Sequence, residues 1–216
     1  MKKTCFLLYI LFLIFIVMSR SSVAQDEVKV RWVIDGDTII LTDGRHVRYI
    51  GINTPEIEHE HQKAEPYGYQ AKKYNEKLVF SKTVRLQFDK ERHDHFGRLL
   101  AYVFLPDGTF INQAMIAQGY AYLLPQKPNI KYAKILLQAQ REAMSAKKGM
   151  WREIAEEEGG YSGNRRTKRF HATACPFGKK ISLTNRISFK SKRDAFWAGF
   201  APGKRCLAGK IITEQK

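Results

Sequence analysis

From residue 28 to residue 105 the chain repeats one pattern: four to seven residues rich in β-formers, then a short cluster of turn residues. Val28 to Ile34 ends at the turn signal Asp35-Gly36-Asp37, and Thr38 to Leu41 continues as a strand. Thr42-Asp43-Gly44-Arg45 makes the next turn, and Val47 to Ile52 forms a third strand stopped by Asn53-Thr54-Pro55. Val84-Arg85-Leu86-Gln87-Phe88 alternates apolar and polar positions as a half-buried strand does, and Leu99 to Leu105 is a fifth strand closed by Pro106-Asp107-Gly108. Elsewhere the period lengthens. Gln70 to Val79 places Ala71, Tyr74 and Leu78 at helical spacing. Phe110 to Gln118 and Ile130 to Ala146 also read as helices, the last one ending at Lys147-Lys148-Gly149 with a C-cap glycine. Residues 56–66 are polar and carry histidines, which predicts a loop.

Five strands and three helices in this order fit an α+β, mainly β fold: a five-stranded Greek-key barrel of the OB type. Ahead of it, Lys2 and Lys3 precede an apolar run from Cys5 to Met18, and Ser19-Arg20-Ser21-Ser22-Val23-Ala24 places small residues before a cut after Ala24. This is the pattern of a secretory signal peptide over residues 1–24. The run is short for a membrane span, which needs about 20 apolar residues. A retained N-terminal anchor is the alternative, and the expected location is secreted or periplasmic.

Composition adds one strong fact, the charge. The 216 residues carry 37 Lys/Arg against 21 Asp/Glu, a net charge of +16. An excess of this size attracts polyanions. It is unevenly placed: from Gly159 onward there are 14 Lys/Arg against Asp194 and Glu214, whereas residues 25–158 hold 20 basic and 19 acidic residues. The acidic run Glu156-Glu157-Glu158 and the following Gly159-Gly160 mark a boundary. The reading is therefore a signal over 1–24, a near-neutral barrel domain over 25–158, a linker over 159–169 and a small basic C-terminal module over 170–209. With 44% hydrophobic residues the chain is not disordered, and with 3 cysteines it is not a disulfide-dense scaffold.

Three segments carry candidate chemistry: Asp35-Gly36-Asp37-Thr38, then Arg48-Tyr49-Ile50-Gly51-Ile52-Asn53-Thr54-Pro55-Glu56, then Asp94-His95-Phe96-Gly97-Arg98. Each alone has a plain structural explanation as a hairpin turn, a solvated arginine or a helix-start acid. Together they supply oxygen ligands for a hard cation, a carboxylate beside it and two guanidinium groups. Phosphodiester cleavage needs such a set, because its barrier lies in positioning and in neutralising charge on the phosphorus.

In order and spacing, and with the closing Lys147-Lys148-Gly149-Met150-Trp151, the segments resemble the thermonuclease (staphylococcal nuclease-like) family from about Val28 to Trp151. The resemblance implies an OB-fold and calcium-dependent hydrolysis of DNA and RNA to a 3′-phosphate and a free 5′-hydroxyl. It makes Asp37 a Ca2+ ligand and Thr54 a ligand through its backbone carbonyl. Arg48 and Arg98 match the phosphate-binding arginines, and Glu56 matches the catalytic glutamate, as general base or as a water-orienting group. Two departures stand out. Asn53 replaces the family's usual aspartate; it keeps an oxygen for the metal, so Asn53 is counted among the ligands, with weaker calcium binding or a shifted metal preference expected. Leu123-Leu124-Pro125-Gln126 occupies the region where the family's prototype carries base-contacting tyrosines. His59-Glu60-His61 is read as a solvated loop, with a transition-metal site as the alternative.

Phe170 to about Leu207 resembles the small zinc-binding domain of Ada-type alkylation-repair proteins in degenerate form. Of its four cysteine positions, this chain has His171, Cys175, Gly203 and Cys206. With one ligand gone, a Cys175–Cys206 disulfide is expected, and a three-ligand zinc site through His171 is the alternative. Closing a loop of this length contributes on the order of 3 kcal/mol, which a module this small needs. The expected whole is an exported, calcium-dependent, sugar-nonspecific endonuclease acting on DNA and RNA as a monomer without a stable protein partner. Its basic module would follow phosphate backbones or anionic envelope polymers. The alternative reading is a catalytically weak OB-fold nucleic-acid-binding protein.

Overall fold

Alternation along the strands puts one face of each into a common interior, and the strands close on themselves to bury it. The computed structural model describes residues 27–59, 63–154 and 158–203. Its first part runs β1 (Glu27–Val33), β2 (Thr38–Leu41), β3 (His46–Tyr49), β4 (Ile52–Asn53), α1 (Gly68–Val79), β5 (Thr83–Gln87), β6 (Leu99–Phe104), α2 (Ile111–Ala117), β7 (Tyr122–Leu123) and α3 (Ala133–Ser145). The order around the closed barrel is β1-β2-β3-β6-β5, as expected for the OB type. All neighbours are antiparallel except β3 and β6. Val30, Ile39, Leu41, Val47, Val84, Leu86, Ala101 and Val103 fill the interior. A register shift between Val30 and Trp32 lets Val33 face inward as well, and leaves Trp32 on the surface at 53% exposure. The helices cover the barrel with Ala71 and Val79 of α1, Ile111, Met115 and Ile116 of α2, and Leu136 and Ala139 of α3.

Two element boundaries differ from the sequence expectation. The third strand is not continuous to Ile52. Gly51 takes φ +80°, and an added Cβ there would lie 2.9 Å from Leu136. That kink lifts the chain off the barrel, so Ile52 and Asn53 pair with Leu123 and Tyr122 as the separate ribbon β4/β7. At the end of α3 the left-handed C-cap conformation falls on Lys147 (φ 48°) as well as Gly149. The Lys147 N–H donates to the Met144 carbonyl and the Lys148 N–H to the Ala143 carbonyl, a Schellman pair closed by a lysine.

The remaining residues form β8 (Glu158–Asn164), β9 (Arg169–Ala172), α4 (Pro176–Lys179), β10 (Arg186–Ser191), α5 (Lys192–Trp197) and β11 (Ala201–Pro202). The strands make one sheet in the order β10-β8-β9-β11. Residues 159–164, expected as linker, are thus most of β8. Its Tyr161 side chain enters a core, and its backbone is paired on both sides. This sheet is not tethered at a distance from the barrel. Tyr122, Leu124, Met144, Met150, Trp151 and Ile154 share one buried cluster with Tyr161, Phe170, Ala195, Phe196 and Phe200. The buried Gln140 of α3 spans the junction: its Oε1 accepts the Leu123 N–H at 2.6 Å and its Nε2 donates to the Phe196 carbonyl at 2.7 Å. The expected signal segment, residues 1–24, lies outside the described residues. Among those described, no helix is long and apolar enough to cross a membrane.

Candidate active site

The β1–β2 turn, the end of β3, the β4 segment and the β5–β6 loop meet at one end of the barrel. They enclose a cavity of about 220 Å³ lined by Asp35, Asp37, Arg48, Asn53, Glu56, Asp94 and Arg98, among others. Five of the six predicted metal-binding and catalytic residues therefore share one space. The sixth, Thr54, stands behind it: its N–H and Oγ1 donate to Asp37 Oδ2 at 2.9 and 3.2 Å. Gly36 makes this approach possible, since a Cβ there would lie 2.6 Å from the Thr54 side chain.

Asp37 is buried and heavily tied. Besides Thr54, its Oδ2 lies 3.1 Å from Arg48 Nη2, and its Oδ1 accepts from Thr38 Oγ1 at 3.2 Å. Asp35 Oδ1 accepts the Asp37 N–H at 2.9 Å, which holds the two carboxyl groups side by side. Burial, and then the neighbouring Asp37 charge, push Asp35 up to about 7. Beneath them the buried Asn75 of α1 donates to the Asp35 carbonyl and accepts the Tyr49 hydroxyl, each at 3.0 Å. That floor fixes the turn against the helix.

Arg48 leaves β3 and folds back over the kink. Its Nη1 donates to the Tyr49 carbonyl at 2.8 Å, and its Nη2 donates to the Ile52 carbonyl and to Asn53 Oδ1, each at 2.9 Å. The other end of the Asn53 amide donates to the Thr54 carbonyl at 2.9 Å and to the Tyr122 hydroxyl at 3.0 Å. Asn53 is thus a bridge between the arginine, the Thr54 carbonyl and β7, and each of its amide atoms has a protein partner.

Glu56 is positioned through its backbone. Its N–H donates to Glu65 Oε2 at 3.1 Å, and its carbonyl accepts the Glu65 N–H at 2.8 Å. Gly68 at the start of α1 packs on that carbonyl, where any Cβ would lie at 2.3 Å. The carboxylate faces the cavity, with His59 Nε2 at 4.0 Å from its Oε2. His59 is exposed, and Glu60 and His61 lie outside the described residues. Arg98 comes from a tight loop: Asp94 Oδ1 accepts the N–H groups of Phe96 and Arg98, each at 3.0 Å. Asp94 Oδ2 then accepts Arg98 Nε at 2.8 Å and pairs with Nη2 at 2.7 Å. The guanidinium also lies 5.3 Å from the centre of the Phe96 ring.

Taken as a donor set, Asp35, Asp37 and the neighbouring amide and carbonyl oxygens are all hard oxygens, and the Asp37 charge that adds to the effect of burial on Asp35 is what a cation would offset. Among the described residues no three His, Cys, Asp or Glu side chains converge as a cage. A cation here would therefore draw on backbone oxygens and water to complete its shell. Sequence reasoning missed Asn75, Glu65 and Tyr122, and read Arg169 only as one of the phosphate-following cations of the basic module. A signal existed for Asn75, a polar residue at helical spacing between the buried Ala71 and Val79. Arg169 lines the cavity only because the C-terminal sheet docks beside it.

In the C-terminal sheet Cys175 is disulfide-bonded, and its expected partner Cys206 lies outside the described residues. His171 Nδ1 is 3.9 Å from Cys175 Sγ, and the His171 ring fills the space where a side chain at Gly203 would project.

Comparison with known proteins agrees with this geometry. The family model described as staphylococcal nuclease homologue matches residues 46–153 and ends before β8. The thermonuclease of Staphylococcus hyicus is 38% identical over 134 residues, 61% of this chain and 79% of the relative. That of Staphylococcus intermedius is 39% identical over 136 residues, 62% and 80% of the two chains. Endonuclease YncB of Bacillus subtilis is 38% identical over 137 residues, 61% and 62%. With the barrel, the converging arginines and the carboxylates already in place, these matches make the chain a member of the staphylococcal nuclease family, hydrolases of nucleic-acid phosphodiesters.

Proposed function

We propose that the protein is an exported, calcium-dependent, sugar-nonspecific endonuclease that cleaves DNA and RNA to 3′-phosphate products. The observation that carries this reading is the single cavity shared by Asp37, Arg48, Glu56 and Arg98. Two planar guanidinium groups match the geometry of phosphate oxygens and neutralise the charge that grows on phosphorus during in-line attack. Arg48 is held by three carbonyl-type oxygens and by Asp37, so its side chain needs little reordering to meet a phosphate. Arg98 exchanges part of its Asp94 pairing for the substrate. Glu56, fixed through its backbone, orients a water or takes its proton as the P–O5′ bond breaks, and the departing 5′-oxygen takes a proton from solvent water to leave as a hydroxyl. Asp37 and the adjoining Asp35, with Asn53 and Thr54 as the further oxygen donors the family resemblance implies, would hold calcium, whose positive charge would help neutralise the phosphate.

Export rests on the N-terminal pattern, and the disulfide is assigned to Cys175–Cys206. The basic sheet, resembling a degenerate Ada-type zinc domain, acts in binding rather than in metal chemistry, on nucleic acid first and on envelope polymers second, in a monomeric protein. Degradation of plasmid and RNA by the purified chain, present with calcium and abolished by chelation, tests the whole. One observation favours a second reading, a catalytically weak nucleic-acid-binding protein: the Asn53 amide oxygen is occupied by Arg48. Gel-shift binding without calcium-dependent cleavage is the outcome that selects it.

A further inference from the structure

The β8–β9 hairpin brings part of the basic sheet to the edge of the active-site cavity. Its tip, Arg165-Arg166-Thr167-Lys168, is exposed, and it is held in shape by Asn164 Oδ1, which accepts the N–H groups of Arg166 and Thr167 at 2.9 and 3.2 Å. At its base Arg169 starts β9, pinned between Asn164 and Ala201 in the sheet. The Arg169 side chain is half-buried and has no carboxylate partner among the described residues. It lines the cavity that holds Asp37, Arg48 and Glu56. Burial pulls its guanidinium below the ordinary value, Tyr122 opposes this, and the Arg48 cation adds to it.

Arg169 and Gln126 also line a second cavity, of about 730 Å³. Its floor is apolar, with Leu123, Pro125, Ile130 and Leu137, and its rim is cationic, with Lys127, Lys134, Arg165, Arg166 and Lys168. Among the residues lining it there is no Asp or Glu. The size falls within the range of ligand pockets, roughly 300–1,000 Å³. An apolar floor accepts a base face, and a basic rim follows a backbone.

We propose that the β8–β9 hairpin is the second wall of the substrate cleft: Arg169 binds the phosphate adjoining the scissile one, and the cavity beyond it holds the next nucleotide of a single strand. This rests on the nuclease reading above and extends it. The C-terminal sheet is then part of the substrate site rather than a separate handle. It also supplies contacts in the region where Leu123-Leu124-Pro125-Gln126 replaces the tyrosines of the family's prototype.

The test uses the full chain with calcium and two substrates, an aryl phosphodiester carrying one nucleoside and a single-stranded 10-mer. Lys134→Glu combined with Arg166→Glu, both on exposed positions, is expected to raise KM for the 10-mer at least tenfold and to change kcat/KM for the one-nucleoside ester less than threefold. Arg169→Ala is expected to raise KM for the 10-mer as well. Arg169→Lys, which keeps the charge without the fork, should recover part of the loss. Binding of the 10-mer read by fluorescence anisotropy in chelator, where nothing turns over, should weaken in the same order. The log–log salt slope should fall by about 0.7 for each phosphate contact removed. Equal losses on both substrates, or unchanged KM and anisotropy for the 10-mer, would overturn the proposal. If the unaltered chain hydrolyses neither substrate, the nuclease reading fails, and the metal-free anisotropy still decides whether this groove holds a strand.

Discussion

Asn53 shows why residue type and residue role have to be separated at this site. Its amide nitrogen donates to the Thr54 carbonyl and the Tyr122 hydroxyl, while its oxygen accepts from Arg48. A carboxylate could keep the Arg48 contact but could not donate to Thr54, so Asn53→Asp releases that carbonyl and adds a negative charge beside Asp37. Calcium binding should tighten by about tenfold, on the order of 1.4 kcal/mol. A calorimetric titration with no change would remove Asn53 from the cation's surroundings. Arg48→Ala and Glu56→Ala should each lower kcat by about 10²–10⁴ without unfolding the protein. Turnover equal to the parent chain in either variant would cancel the role assigned to that side chain. That Asp37, Arg48, Glu56 and Arg98 would share one cavity was legible in the sequence because they sit in short contiguous motifs. The direction of the Asn53 amide was not, because it depends on Tyr122, a residue 69 positions away that reaches the site only through the β4/β7 pairing.

At the scale of elements, the barrel strands were readable because alternation and turn chemistry agree along β1, β2, β5 and β6. The third strand was misjudged at one step, where composition favours continuation and sterics forbid it. Ile50 and Ile52 flank Gly51, whose φ of +80° no β-branched residue tolerates, and Leu136 of α3 leaves no room for a side chain. The kink has a functional reach, since it sets Arg48 on one side and Asn53 on the other within hydrogen-bonding distance. Gly51→Ala should therefore cost about 1–3 kcal/mol of stability. It should also lower kcat/KM at temperatures where the variant is still fully folded. Urea denaturation together with a kinetic assay checks both parts, and a stable, fully active variant would mean that the β3–β4 geometry is not what aligns the arginine. The linker expectation over 159–169 failed for a different reason. Glycine and serine suggest flexibility by composition, yet Gly163 is paired on both sides within β8, and the Phe189, Phe200 and Ile187 side chains fill the space a Cβ would need.

For the whole molecule, charge segregation suggested a near-neutral barrel domain joined through a linker to a small basic module, and the packing shows the two sharing one buried cluster. Phe196 is fully buried, with its ring centre 5.5 Å from Tyr122, 5.0 Å from Trp151 and 5.2 Å from Phe170. Tyr122 and Trp151 belong to the barrel side and Phe170 to the sheet, so one side chain fills the junction. Tyr122 in turn meets the Asn53 amide, so the junction core adjoins the candidate metal site. Truncation after Trp151 would expose this apolar cluster and strip Gln140 of its Phe196 partner. Phe196→Ala should cost about 3–5 kcal/mol, as large core deletions do. Because the lost contacts belong to both halves, the chain should still melt in a single transition at a lower temperature. Scanning calorimetry reads this directly. Two separated transitions in the parent chain, or a Phe196→Ala variant whose barrel melts where it did before, would show that the halves fold independently. The arginine that the sheet delivers to the cleft would then be held by a loose tether, too mobile to fix a phosphate.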